Sequence, residues 1–243
     1  MSSPSSVAKI SEALARVERK LRGAMKLSAT LAILVLMHVP AKADEPFGIH
    51  TVPSQSTYLT AVWRDLQAAI AKNESVLALC QVDPACGSDV ALRLIGVVSE
   101  ARQHQGRKMI GHLNRAINLA IARTRADVPW LPPLAALGQP GDCKSYAMVK
   151  YLALGEAGIT TMDRRLVMVR FKTSTRDKHL VVIVRDGERW LILDSVTNAL
   201  VDSTAAHPYE PLQEFDVNGV RDFEPISHGV AEFKPAPIRS ANE

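Results

Sequence analysis

The hydrophobic repeat of this chain changes once, near Gly158. Before it, apolar residues recur with helical spacing: Leu59, Val62, Trp63, Leu66 and Ile70, then Val90, Leu94 and Val98, then Leu113, Ile117 and Ile121. After it come three short blocks rich in Val, Ile and Leu, "RRLVMVRF" (164–171), "KHLVVIVR" (178–185) and "RWLILDS" (189–195). A run of helices followed by a run of strands predicts an α+β fold with an antiparallel sheet. Helices are expected over about 59–80, 88–105 and 109–123, with a fourth from 143. Between the third and fourth lies "ADVPWLPPLAALGQPGDC", read as a rigid loop because its four prolines interrupt helix continuation. A short strand is expected near Leu200 and Val201, then a Pro-containing segment, "HPYEPLQEF". The tail 227–243 is polar, and 44–57 reads as an irregular linker, leaving 58–226 as the domain.

The fourth helix is the one that can carry chemistry. Asp142 suits the N-cap, which puts Cys143 at the first helical position. From Tyr146 to Leu154 almost every residue is apolar, so this helix is enclosed on most sides. Cysteine is often buried merely as a small hydrophobe. At a helix N-terminus, however, unpaired N–H groups and the helix dipole favour a thiolate.

A nucleophilic cysteine needs a base and a group to orient that base. The second and third strand blocks are joined by Asp186-Gly187, which favours a two-residue type I′ turn. That register sets Arg185 against Glu188 and Ile183 against Trp190. Further out, His179 faces Asp194, on one side of the sheet with Cβ atoms about 4.5–5.5 Å apart. The expected set is Cys143 as nucleophile, His179 as proton carrier and Asp194 as its orienter. The Cys143 N–H is an oxyanion donor, with Gln139 and Asn118 as candidates for a second. His50, His104, His112, His207 and His228 have no comparable partners.

The N-terminus points to export. Arg16, Arg19, Lys20, Arg22 and Lys26 precede "LSATLAILVLM", and Ala41-Lys42-Ala43 follows as a small-x-small site. Residues 1–43 therefore read as a secretory signal peptide, too short in its apolar run for a membrane span. The whole chain carries a net charge of +4, but seven of its 29 Lys and Arg and only two of its 25 Asp and Glu lie in that leader. The remainder, 22 basic against 23 acidic, gives no electrostatic reason to expect nucleic acid, and no basic stripe interleaved with aromatics is present. Three cysteines remain after the leader. Cys80 and Cys86 flank "QVDPA" and either close a short disulfide loop or stay as two buried thiols; a disulfide leaves Cys143 unpaired.

Taken together, "HLNRAINLAI", "DVPWLPPLAALGQPGDC", "YAMVKYLALGEAGI", "HLVVIV" and "WLILDS" resemble the bacterial transglutaminase-like cysteine proteinases, over about residues 58 to 212. The resemblance implies a papain-like, transglutaminase-like fold and assigns the family's Cys, His and Asp to Cys143, His179 and Asp194. It implies a periplasmic endopeptidase working through an acyl-enzyme on a protein substrate such as a surface adhesin. An inner-membrane regulatory protein is implied as a further partner, with no stable membrane insertion after the leader is removed. Acyl transfer to an amine, as in transglutaminases, and a non-catalytic periplasmic scaffold are the alternatives on the same fold. Characterised members are similar to calcium-dependent proteases whose cysteine sits in a "GDCED"-like sequence. Here the sequence is "GDCKS": Asp142 remains a calcium-ligand candidate, but Lys144 and Ser145 stand where the acids would be. Because Ca²⁺ requires several oxygen ligands, that replacement argues against calcium dependence, and no other cofactor is expected.

Overall fold

A computed structural model describes residues 45–173 and 178–225. The expected leader (1–43) and the polar tail (227–243) lie outside the described residues. Helix α1 spans Thr57–Val82, with the Ser56 hydroxyl accepting from the Leu59 N–H at 3.2 Å. Its apolar stripe buries Trp63, Leu66, Ile70, Leu77 and Cys80. Helices α2 (Asp89–Ala101) and α3 (Gly106–Ala120) follow, and a short α4 (Pro133–Leu137) forms inside the segment read as a loop. Pro132 and Pro133 occupy the N-cap and first position of α4, where a missing N–H costs nothing. Helix α5, Cys143–Glu156, has ten consecutive buried residues from Ser145 to Leu154.

The sheet is larger than the sequence indicated. Its strands are β1 (Thr51–Pro53), β2 (Arg164–Phe171), β3 (Lys178–Asp186), β4 (Arg189–Leu193), β5 (Val201–Asp202), β6 (Tyr209–Asp216) and β7 (Gly219–Phe223). They are ordered β1-β7-β6-β2-β3-β4-β5, and every pairing is antiparallel. The segment 44–57 is thus not wholly irregular: β1 closes one edge by pairing Thr51 with Phe223. Strand β6 contains Pro211 yet lies inside the sheet. The β2–β6 register shifts between Met168 and Val169, which pair with Gln213 and Pro211, so the proline sits at a bulge where no ladder donor is required.

The hairpin turn also differs from the expected one. Asp186 pairs with Arg189, so the two loop residues are Gly187 and Glu188 rather than Asp186 and Gly187. Gly187 has φ 64° and Glu188 does not share a positive φ, the type II′ pattern with glycine first. The register moves by two residues: Val182 faces Leu193, and His179 is not directly opposite Asp194. A shift of two preserves side-chain parity, so His179 and Asp194 stay on one face.

Both faces of the central strands are buried. Leu180, Val182, Val184, Leu191 and Leu193 join α5 and the other helices in the main core. Val181, Ile183, Trp190 and Ile192 form a second cluster with Phe47, Phe223 and Tyr209. Cys80, in the last turn of α1, and Cys86, just beyond the helix, are joined as a disulfide with Cα atoms 5.1 Å apart. Among the described residues no helix is long and apolar enough to cross a membrane.

Candidate functional site

Cys143 begins α5. The Asp142 carboxylate caps the helix through Oδ1, accepting from the Lys144 N–H at 3.0 Å, and through Oδ2 accepts from the Val128 N–H at 3.2 Å. A strap before the helix runs beside this start: the Gly141 N–H donates to Ala122 O at 2.9 Å and the Thr124 N–H to Gly141 O at 3.0 Å. Gly141 is required by closeness, since a Cβ there would stand 2.3 Å from that of Ser145. Cys143 itself is half-buried and is the unpaired cysteine among the described residues.

His179, second residue of β3, is buried, and its Nε2 lies 2.7 Å from Asp194 Oδ1. The Cys143 side chain is near enough to the same imidazole to help raise its pKa. With Nε2 engaged by the carboxylate, Nδ1 is the nitrogen left to face sulfur. The two elements meet at their ends, where β3 starts and α5 starts. Alternation along β3 puts His179 with Val181 on the second face, beside Phe171 and Tyr209, whose rings lie 5.5 and 6.1 Å from the imidazole. Burial by itself would pull the His179 pKa down, but the Asp194 carboxylate and the Cys143 side chain outweigh it and push it up to about 9. Asp194 is pulled the other way, to about 2: burial opposes its charge, but hydrogen bonds from His179, Tyr209 and the Val196 N–H prevail. An imidazolium held against a carboxylate is the state that stabilises an adjacent thiolate.

Five further residues surround Asp194 and the turn after it. The Tyr209 hydroxyl donates to Asp194 Oδ2. Lys150, fully buried on α5, donates from Nζ to the Asp194 carbonyl at 2.8 Å. Burial pulls the Lys150 pKa down to about 7, with Arg123 adding to the effect and the Asp194 charge resisting it. Arg123 donates to the Ser195 carbonyl. Asn118 Nδ2 donates to the Asp194 carbonyl at 3.0 Å and Asn114 Nδ2 to the Thr197 carbonyl at 3.3 Å. The turn after β4 is therefore held by side-chain donors from α3, α5 and the strap. Asn118 is committed to that turn and does not serve as the oxyanion donor. Gln139, the other candidate, spends an amide hydrogen on Ala135 O at 3.3 Å. Lys150 was detectable as one charge inside an otherwise apolar run, since a lysine with no exposed face needs a buried partner. Tyr209 sits between two prolines and carried no comparable signal.

A cavity of about 640 Å³ opens on the second face; of the site residues only Tyr209 lines it, with Phe47, Lys172, His207 and Phe223 among its walls.

The match to known families spans residues 80–215 and is to the bacterial transglutaminase-like cysteine proteinases. The chain belongs to this family. It is a cysteine peptidase. No curated protein matches it by sequence. Among solved structures, Legionella pneumophila LapG is 20% identical, with 62% of this chain and 87% of that chain covered at a TM-score of 0.50. Its calcium-bound form is 19% identical, covering 65% and 93% with the same TM-score. These two share the papain-like, transglutaminase-like fold with the present peptidase.

Calcium beside the cysteine, which the resemblance implies, can be tested on the residues present. They do not fit it. Lys144 Nζ lies 2.5 Å from Asp142 Oδ2 and 2.7 Å from Asp127 Oδ1, so an ammonium already stands between the two carboxylates. Among the described residues no group of three or more His, Cys, Asp and Glu side chains could hold a metal ion.

Proposed function

We propose that this peptidase is an exported endopeptidase with Cys143, His179 and Asp194 as its catalytic triad. The reading is carried by one observation: a half-buried cysteine at a helix N-terminus shares a buried imidazole with a carboxylate 2.7 Å away. The Cys143 thiolate attacks the scissile carbonyl, and its N–H donates to the developing oxyanion. The His179 imidazolium, formed with the thiol proton, protonates the departing amine. Neutral His179 then takes a proton from water, which attacks the acyl-enzyme and restores the thiolate–imidazolium pair after release. Asp194 does not change its proton; it holds the ring and balances its charge. The leader-like residues 1–43 and the disulfide between Cys80 and Cys86 favour work in the periplasm, on a periplasmic or surface protein such as an adhesin.

Mature protein treated with iodoacetamide near pH 7 should be labelled rapidly at Cys143, and His179→Ala should slow labelling at least ~10-fold. Labelling at the rate of an ordinary exposed thiol would remove the triad. Comparing surface and secreted proteins of cells with intact or Cys143→Ala enzyme identifies the substrate as the fragment that disappears. Adding a primary amine to the reaction separates hydrolysis from acyl transfer, since only the latter yields an amine-tagged product.

A further inference from the structure

The contacts of Lys144 point to a role beyond tolerance of a missing metal. Its ammonium is mostly buried, with 17% of its side chain exposed, and bridges two carboxylates from separate segments. Asp142 belongs to the cap of α5; Asp127 belongs to the strap that runs beside it. The same Asp142 oxygen also receives the Val128 N–H. A divalent cation placed here would have to displace the ammonium or stand against its charge, and the two carboxylates would supply at most four of the six to eight oxygens Ca²⁺ takes. We infer that Lys144 acts as a tethered cation, bridging Asp127 and Asp142 to fix the strap onto the start of the Cys143 helix, so that the assembly of this end of the site is independent of calcium.

Charge and geometry agree on this. Burial works against the ammonium, but Asp127 and Asp142 outweigh that and raise its pKa, so it stays charged across the neutral range. Asp127 is correspondingly lowered by the same lysine. Being one bond removed from Cys143, the lysine needs no diffusing ion and no occupancy. Its backbone N–H is the donor that Asp142 caps, so one residue supplies both the cap's partner and the bridge.

Only the alkylation readout below rests on Cys143 being the nucleophile; the melting temperature does not, and it is measured in parallel in Cys143→Ala protein. For the wild type, millimolar Ca²⁺ or EGTA should shift the melting temperature by less than about 1 °C. A rise of about 5 °C with Ca²⁺ that EGTA reverses would overturn the inference. Lys144→Met, which keeps length and removes charge, should melt lower and slow Cys143 alkylation several-fold, with no recovery in Ca²⁺. Unchanged melting and unchanged alkylation in that variant would equally overturn it. Lys144→Glu restores an acid and should gain a Ca²⁺-dependent rise in melting temperature that the wild type lacks; a folded variant indifferent to Ca²⁺ counts against the inference. Should Lys144→Glu fail to fold, the wild-type and Lys144→Met measurements still decide.

Discussion

The two ends of the candidate site are held in opposite ways. At the cysteine end, charged side chains do the holding near solvent: Asp127 is 95% exposed, and Lys144 ties it to Asp142. At the carboxylate end, the holding is aimed at main-chain carbonyls and rests partly on buried donors: fully buried Lys150 and Asn114, half-buried Asn118 and exposed Arg123 bind the turn after Asp194. An ion pair with an exposed partner such as Asp127 is weakened by salt, whereas fully buried donors are costly to remove because their acceptors cannot turn to water. Salt should thus loosen the Cys143 end more readily than the Asp194 end.

The largest effect tests whether the two ends work as one machine. Cys143→Ala should reduce peptide cleavage by ~10⁴-fold or more with the melting temperature almost unchanged, and retained cleavage would refute the mechanism. Asp194→Ala should reduce the rate by ~10²–10⁴-fold and also destabilise the fold by about 2–3 kcal/mol, because a buried imidazole and the Tyr209 hydroxyl lose their partner. Urea melts compared with those of Cys143→Ala separate the two ends directly.

Acid and base titration sharpens the contrast. His179 is raised from 6.5 to about 9, so its contribution to stability is fully present below pH 6.5 and is lost as pH rises through about 9. Asp194 is lowered from 3.8 to about 2, so its contribution is present above pH 3.8 and lost as pH falls through about 2. His179→Gln should flatten the alkaline loss in a melting-temperature series and leave Lys144→Met with its own. A smaller effect is expected at Lys150: Lys150→Met should lower kcat ~10-fold with KM little changed, and Lys150→Arg should restore part of it, because the donor matters more than the volume. Smallest is salt: 1 M NaCl should slow Cys143 alkylation by no more than ~2–3-fold in wild type and not at all in Lys144→Met.

Much of this was legible in residue order. Parity along β3 and β4 was enough to bring His179 and Asp194 to one face, although the turn sat one residue further on and the partners across it changed by two. Face depends on odd and even, which a two-residue slip leaves alone; direct opposition does not survive it. The helix start was legible because Asp142 and the glycines and prolines before it leave few alternatives. What stayed hidden depended on distant partners. Strand β6 looked irregular because Pro211 disqualifies a central strand unless a bulge absorbs it, and that bulge, at Leu212, shows only in the pairing with β2. β1 is three residues long and becomes a strand only because β7 offers it a ladder. Asn118 was visible beside the α3 stripe, but whether it faced the thiol or the turn after β4 depended on the fold of residues 194–198.

The sheet described here ends in strands of three and two residues, β1 on one side and β5 on the other. Such stubs give a neighbouring molecule almost nothing to zip onto, whereas long flat margins invite fibre growth. A peptidase that binds extended chains gains from that shape, because its own margins offer those chains little to pair with.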